Sequence, residues 1–133
     1  MWKRVILKKR ALIPANGFYE WRKPQNPKDH KQPFYIHPKS MELFSFAGIY
    51  DSWKDPEGNE LRTYSIITTE PNKEMAPIHN RMPVILYPEE ESAWLDPNKD
   101  TRDVLESFMH PYEDNGLDIY KVSEDVNTPR NNN

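Results

Sequence analysis

The sequence predicts one α+β domain, rich in mostly antiparallel strands and carrying a few short helices. Three observations point there. A chain of 133 residues suits a single hydrophobic core. Thirteen prolines divide it into short elements, and with 36% apolar residues much of it must be surface or connection. Aromatics nonetheless reach 12%, as seven Tyr, five Phe and four Trp, which argues against disorder. All 133 residues are read as this one domain, with 128–133 a flexible tail and no repeat or interdomain linker.

The elements follow in order. Residues 2–9 place Trp2, Val5 and Ile6 on one side of a short helix, with lysines around the rest. "ALIP" and "FYEW" read as strands separated by Asn16-Gly17, a strong turn signal. "RKPQNPKDHKQP" is a polar loop, "FYIH" a strand, and Pro38-Lys39-Ser40 a turn. "LFSFAGIYDSW" (43–53) alternates as a strand does and forms a hairpin with "RTYSIITTE" (62–70) through "DPEGNE". "PNKEMAPIH" gives one helical turn, and "RMPVILY" (81–87) a short strand.

Pro88 followed by three glutamates opens a helix, because proline fits the first turn and acids face the positive end of the dipole. "TRDVLESFM" (101–109) is a second helix, with Thr101 as N-cap and Val104, Leu105, Phe108 and Met109 as its apolar stripe. "LDIYKVS" (117–123) is the closing strand.

Charge and composition narrow the function. The net charge is −3, but residues 1–37 carry nine Lys/Arg against Glu20 and Asp29, a local +7 on an otherwise acidic chain. Such a segment is either a polyanion footprint or an ordinary solvated face. There is no cysteine, so disulfides, thiolate metal sites and cysteine nucleophiles are excluded from this chain. No apolar run has membrane-spanning length, and Val5-Ile6-Leu7 is too short for a signal peptide core, so a cytoplasmic protein without membrane contact is expected. No His/Asp/Glu spacing matches a metal motif, and no metal or other cofactor is expected. The four glycines, at 17, 48, 58 and 116, form no phosphate loop, and no serine sits in a nucleophile-elbow context.

Two short stretches can carry chemistry. Along "GFYEW", Phe18, Glu20 and Arg22 share one face and Tyr19 and Trp21 the other. If Tyr19 and Trp21 face the core, Glu20 is simply solvated; otherwise it is a positioned acid–base group. In "PIHNRMP", His79 precedes Arg81 by two residues between backbone-restricting prolines. That pair is either a proton donor-acceptor beside an anion anchor or two unrelated loop charges. Trp21 and Trp53 are read as core residues, with base stacking as the other role.

Taken in order, "ALIPANGFYEWRK", "KQPFYIH", "FAGIYDSW", "YSIITTEPN", "IHNRMPVIL" and "VSEDVNTPRNN" resemble the SOS-response-associated peptidase (SRAP) family, whose members sense abasic sites in single-stranded DNA. The resemblance runs from about Lys8 to Asn131. It implies a partial SRAP fold, compact and β-rich, with a positively charged groove for single-stranded DNA. It also implies a site built from an N-terminal cysteine, an asparagine, a glutamate and a histidine. There the cysteine captures the abasic-site aldehyde as a Schiff base and then as a thiazolidine crosslink, with peptidase-like self-processing ahead of the cysteine. Motif by motif, Glu20 and His79 fall on the catalytic positions, and Arg81 on the arginine that helps hold the DNA backbone.

The sequence departs from the family at its start. Position 2 is Trp2, and nothing before Lys8 matches the family's cysteine or its asparagine motif. The expectation is the C-terminal portion of a SRAP domain, completed by a second copy or by a separate N-terminal segment that covers exposed sheet edges. The family is enzymatic; activity of this chain by itself is left open. The function implied is capture of abasic single-stranded DNA, the alternative a non-catalytic single-stranded DNA-binding module or pseudo-enzyme. A third reading is a basic segment that binds an acidic protein partner.

Overall fold

The structure, a computed structural model, describes residues 9–123. The helix expected over 2–9, save its last residue, and the tail at 128–133 lie outside the described residues. The strands are β1 (Arg10–Ala15), β2 (Phe18–Arg22), β3 (Gln32–Pro38), β4 (Phe44–Lys54), β5 (Glu60–Ile66), β6 (Thr68–Thr69), β7 (Met82–Pro83), β8 (Ile85–Leu86) and β9 (Leu117–Lys121). Helices α1 (Pro88–Leu95) and α2 (Arg102–Glu106) lie between β8 and β9. Every strand pairing described is antiparallel. The molecule is the β-rich α+β domain that the sequence predicts.

β4 organises the larger sheet. β1 pairs along one edge, from Ala15↔Phe44 to Arg10↔Ile49, and β5 takes the other, from Gly48↔Ile66 to Lys54↔Glu60. β8 continues that second edge at Ser45 and Phe46. The β4–β5 hairpin turns at residues 55–59, where Gly58 adopts φ +87°, a conformation that needs glycine. β2, β3 and β9 form a second sheet in that order, and β6 pairs with β7.

Two apolar clusters hold the sheets together. One gathers Phe34, Ile36, Phe44, Phe46, Met75 and Leu117 where the two larger sheets face each other. The other places Trp94, Leu105 and Phe108 of the helical region over Ala47, Val84 and Leu86. Trp94, fully buried, donates its indole N–H to the carbonyls of Ala11 (3.0 Å) and Gly48 (3.3 Å), tying α1 to β1 and β4. The helix starts fit the sequence signals: Glu90 accepts from the Tyr87 amide at 2.9 Å, and the Thr101 hydroxyl accepts from the Val104 amide at 3.4 Å.

Two local expectations change. Asn16-Gly17 separates β1 from β2, yet these strands pair with different partners instead of each other. Gly17 is required by close approach: a Cβ there would fall 2.0 Å from the Tyr35 hydroxyl. "RMPVILY" is two strands of two residues, β7 and β8, in different sheets. The break falls beside Pro83, which has no amide hydrogen for a ladder. The segment at 71–79 makes turns with helix-like bonds, such as His79 N–H to Met75 C=O at 2.9 Å, as its sequence predicts.

Candidate functional site

β2 presents its residues opposite to one of the two expectations. Glu20 lies across from Phe34 and Phe18 across from Ile36, so the Phe18/Glu20/Arg22 face is the core side of the sheet. Phe18 meets Phe46 edge-on at 5.6 Å. Tyr19 is 48% exposed, and Trp21 packs beside it on the outer face at 6.3 Å. The alternation was legible, but its polarity was inverted: two large aromatics point outward, and a carboxylate points inward at the end of the core. Tyr19 continues across the strands through Tyr35 (5.2 Å), His37 and Tyr120, an aromatic row on the outer face. Trp53, read as core, is also 48% exposed.

Glu20 meets His79 at the margin of that core, with Oε1 3.8 Å from Nε2. His79 is held from behind. Asn72, 4% exposed, accepts the Met75 amide on its side-chain oxygen at 3.0 Å and donates to the Tyr112 carbonyl at 3.0 Å. Met75 and Ile78 are buried beneath the turn. A short segment pinned by two apolar anchors and a buried amide presents its histidine at a fixed place.

Arg81 contributes both its backbone and its side chain. His79 Nδ1 lies 3.2 Å from the Arg81 amide nitrogen and 3.2 Å from the Arg81 carbonyl oxygen. Where Nδ1 accepts from the amide the neutral ring carries its proton on Nε2, toward Glu20; where Nδ1 carries the proton it donates to the carbonyl. The imidazolium likewise donates from Nδ1 to the carbonyl. The Arg81 side chain is steadied by Thr68: Nε donates to its hydroxyl at 3.2 Å and Nη2 to its carbonyl at 2.7 Å. Neither partner is charged, so the guanidinium keeps a full positive charge on an exposed surface.

Glu20 and His79, from two well-separated parts of the chain, thus stand together as a carboxylate–imidazole pair, with the His79 ring against the Arg81 backbone. Asn72 and Thr68 were missed. An asparagine three residues ahead of an apolar methionine carries a weak capping signal, whereas nothing in "IITTE" marks Thr68 as an arginine's seat.

Among the described residues, two cations of the basic N-terminal third, Arg10 and Lys9, are engaged within the fold. Arg10 is 8% exposed, donates to the carbonyls of Lys99 and Asp96, and lies 5.4 Å from the centre of the Trp94 ring. Burial lowers its pKa from the ordinary arginine value, against the pull of Asp100 and Asp96. Lys9 pairs with Asp51 at 3.3 Å. Among the described residues no three His, Asp or Glu side chains converge on a metal position, and no helix is long and apolar enough to cross a membrane.

Comparison with known proteins finds a family match over most of the sequence. The family described as SOS response associated peptidase (SRAP) matches residues 1–129. "Abasic site processing protein YoqW" of Bacillus subtilis is 47% identical over 98% of this chain and 58% of its own length. "Abasic site processing protein HMCES" of Rattus norvegicus is 33% identical over 93% of this chain and 41% of its own. A crystal structure of a protein from Bacteroides thetaiotaomicron matches with a TM-score of 0.87 at 37% identity, over 98% of this chain and 56% of that one. The chain therefore spans less than three fifths of each of these relatives.

Proposed function

Because the chain belongs to the SOS response associated peptidase (SRAP) family, we propose that it binds single-stranded DNA at abasic sites and supplies the acid–base side of a centre that captures them. One observation carries this reading: Glu20 and His79 stand 3.8 Å apart, with the His79 ring against the Arg81 backbone. The names of the Bacillus subtilis and Rattus norvegicus relatives, both abasic site processing proteins, supply the substrate class. A cytoplasmic setting belongs to the same reading.

An abasic sugar is mostly a closed hemiacetal, and opening it moves two protons. In this reading the Glu20 carboxylate accepts the hydroxyl proton while the His79 imidazolium gives its Nε2 proton to the ring oxygen and becomes neutral, releasing the aldehyde. An amine then adds, and the pair delivers the proton with which water leaves the carbinolamine. Arg81 holds a phosphate next to the reacting sugar. The chain contains no cysteine, so the amine and thiol that the family resemblance implies come from another polypeptide segment.

The test mixes this chain with the cysteine-bearing N-terminal segment of a relative and follows covalent adducts on abasic single-stranded DNA in denaturing gels. Adduct formation is expected, and Glu20→Ala should slow it by about 10²-fold or more, the usual weight of a positioned acid–base group. A mixture that forms no adduct sinks the catalytic half of the proposal.

The missing thiol favours a second reading, a module that binds the strand without bonding to it. This chain alone should then shift single-stranded DNA in a gel, more weakly as salt rises. Arg81→Glu should weaken that binding several-fold, and an absence of binding at low salt rules the reading out.

A further inference from the structure

Beyond the Glu20–His79 pair, we propose a second subsite: a basic trough at the end of β2 in which Arg22 and Lys23 take phosphodiesters of the DNA on one flank of the abasic position. The proposal rests on the DNA-binding reading above and adds a direction to it.

The trough consists of two joined depressions. The smaller, about 310 Å³, is lined by His79, Asn80, Arg22, Lys23 and Pro77. The larger, about 600 Å³, shares Arg22, Lys23 and Pro77 and extends to Gln25, Asp29 and His30. Glu20 and Arg22 project from the same sheet face, so the trough starts beside the carboxylate and leads away from it in one direction. Its combined space suits a ligand larger than one side chain.

Its charge selects the ligand. Residues 22–32 hold Arg22, Lys23, Lys28 and Lys31 against the single acid Asp29. Three surface cations meet carboxylates, in Lys9–Asp51, Arg62–Glu60 and Arg102–Glu106. Among the described residues, neither Arg22 nor Lys23 has such an ion pair. The Arg22 guanidinium lies 5.3 Å from the centre of the Phe34 ring, a contact that steadies the cation and leaves its N–H edge for an anion. Asp29, at the far end, repels a polyanion and marks where the path stops. An open polar trough with two unpaired cations and no Phe, Tyr or Trp ring in its lining fits a sugar–phosphate backbone better than a base.

The experiment measures binding of fluorescent single strands with a non-reactive abasic analogue at the 5′ end, the 3′ end or the centre. Wild type, Arg22→Gln/Lys23→Gln, Lys23→Gln alone and Arg81→Glu are compared across a salt series. Lys23→Gln leaves the Phe34 contact intact and guards against a folding defect. Wild type should bind the analogue more tightly when DNA extends along one particular flank. The double variant should lose that advantage and lower the slope of log affinity against log salt by about 1.4, from roughly 0.7 per phosphate. Lys23→Gln should show about half of that.

If the double variant keeps the wild-type slope while Arg81→Glu weakens binding, the subsite is wrong and the DNA reading stands. Equal losses on both flanks also overturn it. If wild type binds no strand, both readings fall. Inorganic phosphate at matched ionic strength should displace the strand poorly; full displacement would make the trough a free-anion pocket and overturn the proposal.

Discussion

At Arg10 the guanidinium rests against Trp94 and donates to carbonyls just beyond the end of α1. A residue that the charge pattern counts toward a polyanion footprint is instead part of the packing. Arg10→Ala should destabilise the fold by about 2–3 kcal/mol in denaturant melts, the range for hydrogen bonds to a charged group. Arg10→Lys should recover only part, since an ammonium lacks the planar fork that reaches two carbonyls. The candidate site residues could be named from the sequence. Glu20, His79 and Arg81 could each be singled out from local pattern, and the structure brings Glu20 to His79. Their companions Asn72 and Thr68 were not picked out, because Asn72 reaches the distant Tyr112 carbonyl as well as the nearby Met75 amide and Thr68 receives the side chain of Arg81 from another segment.

Among the elements, the β4–β5 hairpin was readable in advance, because its turn chemistry is local. Asp55 accepts from the Asn59 amide at 2.8 Å and from the Asn59 side chain at 3.2 Å. Those bonds, the Asn59 backbone first, lower the Asp55 pKa from the ordinary aspartate value. A lowered folded-state pKa stabilises the turn above the unfolded value, about 3.9, and the benefit is lost as pH falls through the folded one. On acidification below about pH 4, the Asn59 and Gly58 amide resonances should therefore move together as the turn loosens. Asp55→Asn should remove that pH response. The polarity of β2 and the split of "RMPVILY" were not readable. Both depend on which strand lies alongside, and a period of two fixes the alternation of faces without saying which face meets the core.

For the molecule as a whole, the fold class could be read from composition and punctuation, whereas the assembly of strands into three sheets could not. Asn16-Gly17 looks like a hairpin turn, yet β1 and β2 diverge into separate sheets there. The larger sheet ends at β5, whose seven residues are all exposed, including Leu61, Tyr64 and Ile66. Among the described residues, only one side of this strand is paired. Along β5 alternate amides point at β4, and the amides between them point away. In heavy water the protein should therefore show a period-two record along residues 60–66, slow and fast amides in turn. A strand laid on the open edge, from a second copy or an N-terminal companion, would slow the fast set and leave the slow set nearly unchanged. The clock of proton exchange thus reads whether that edge is occupied, residue by residue, before any partner has been identified.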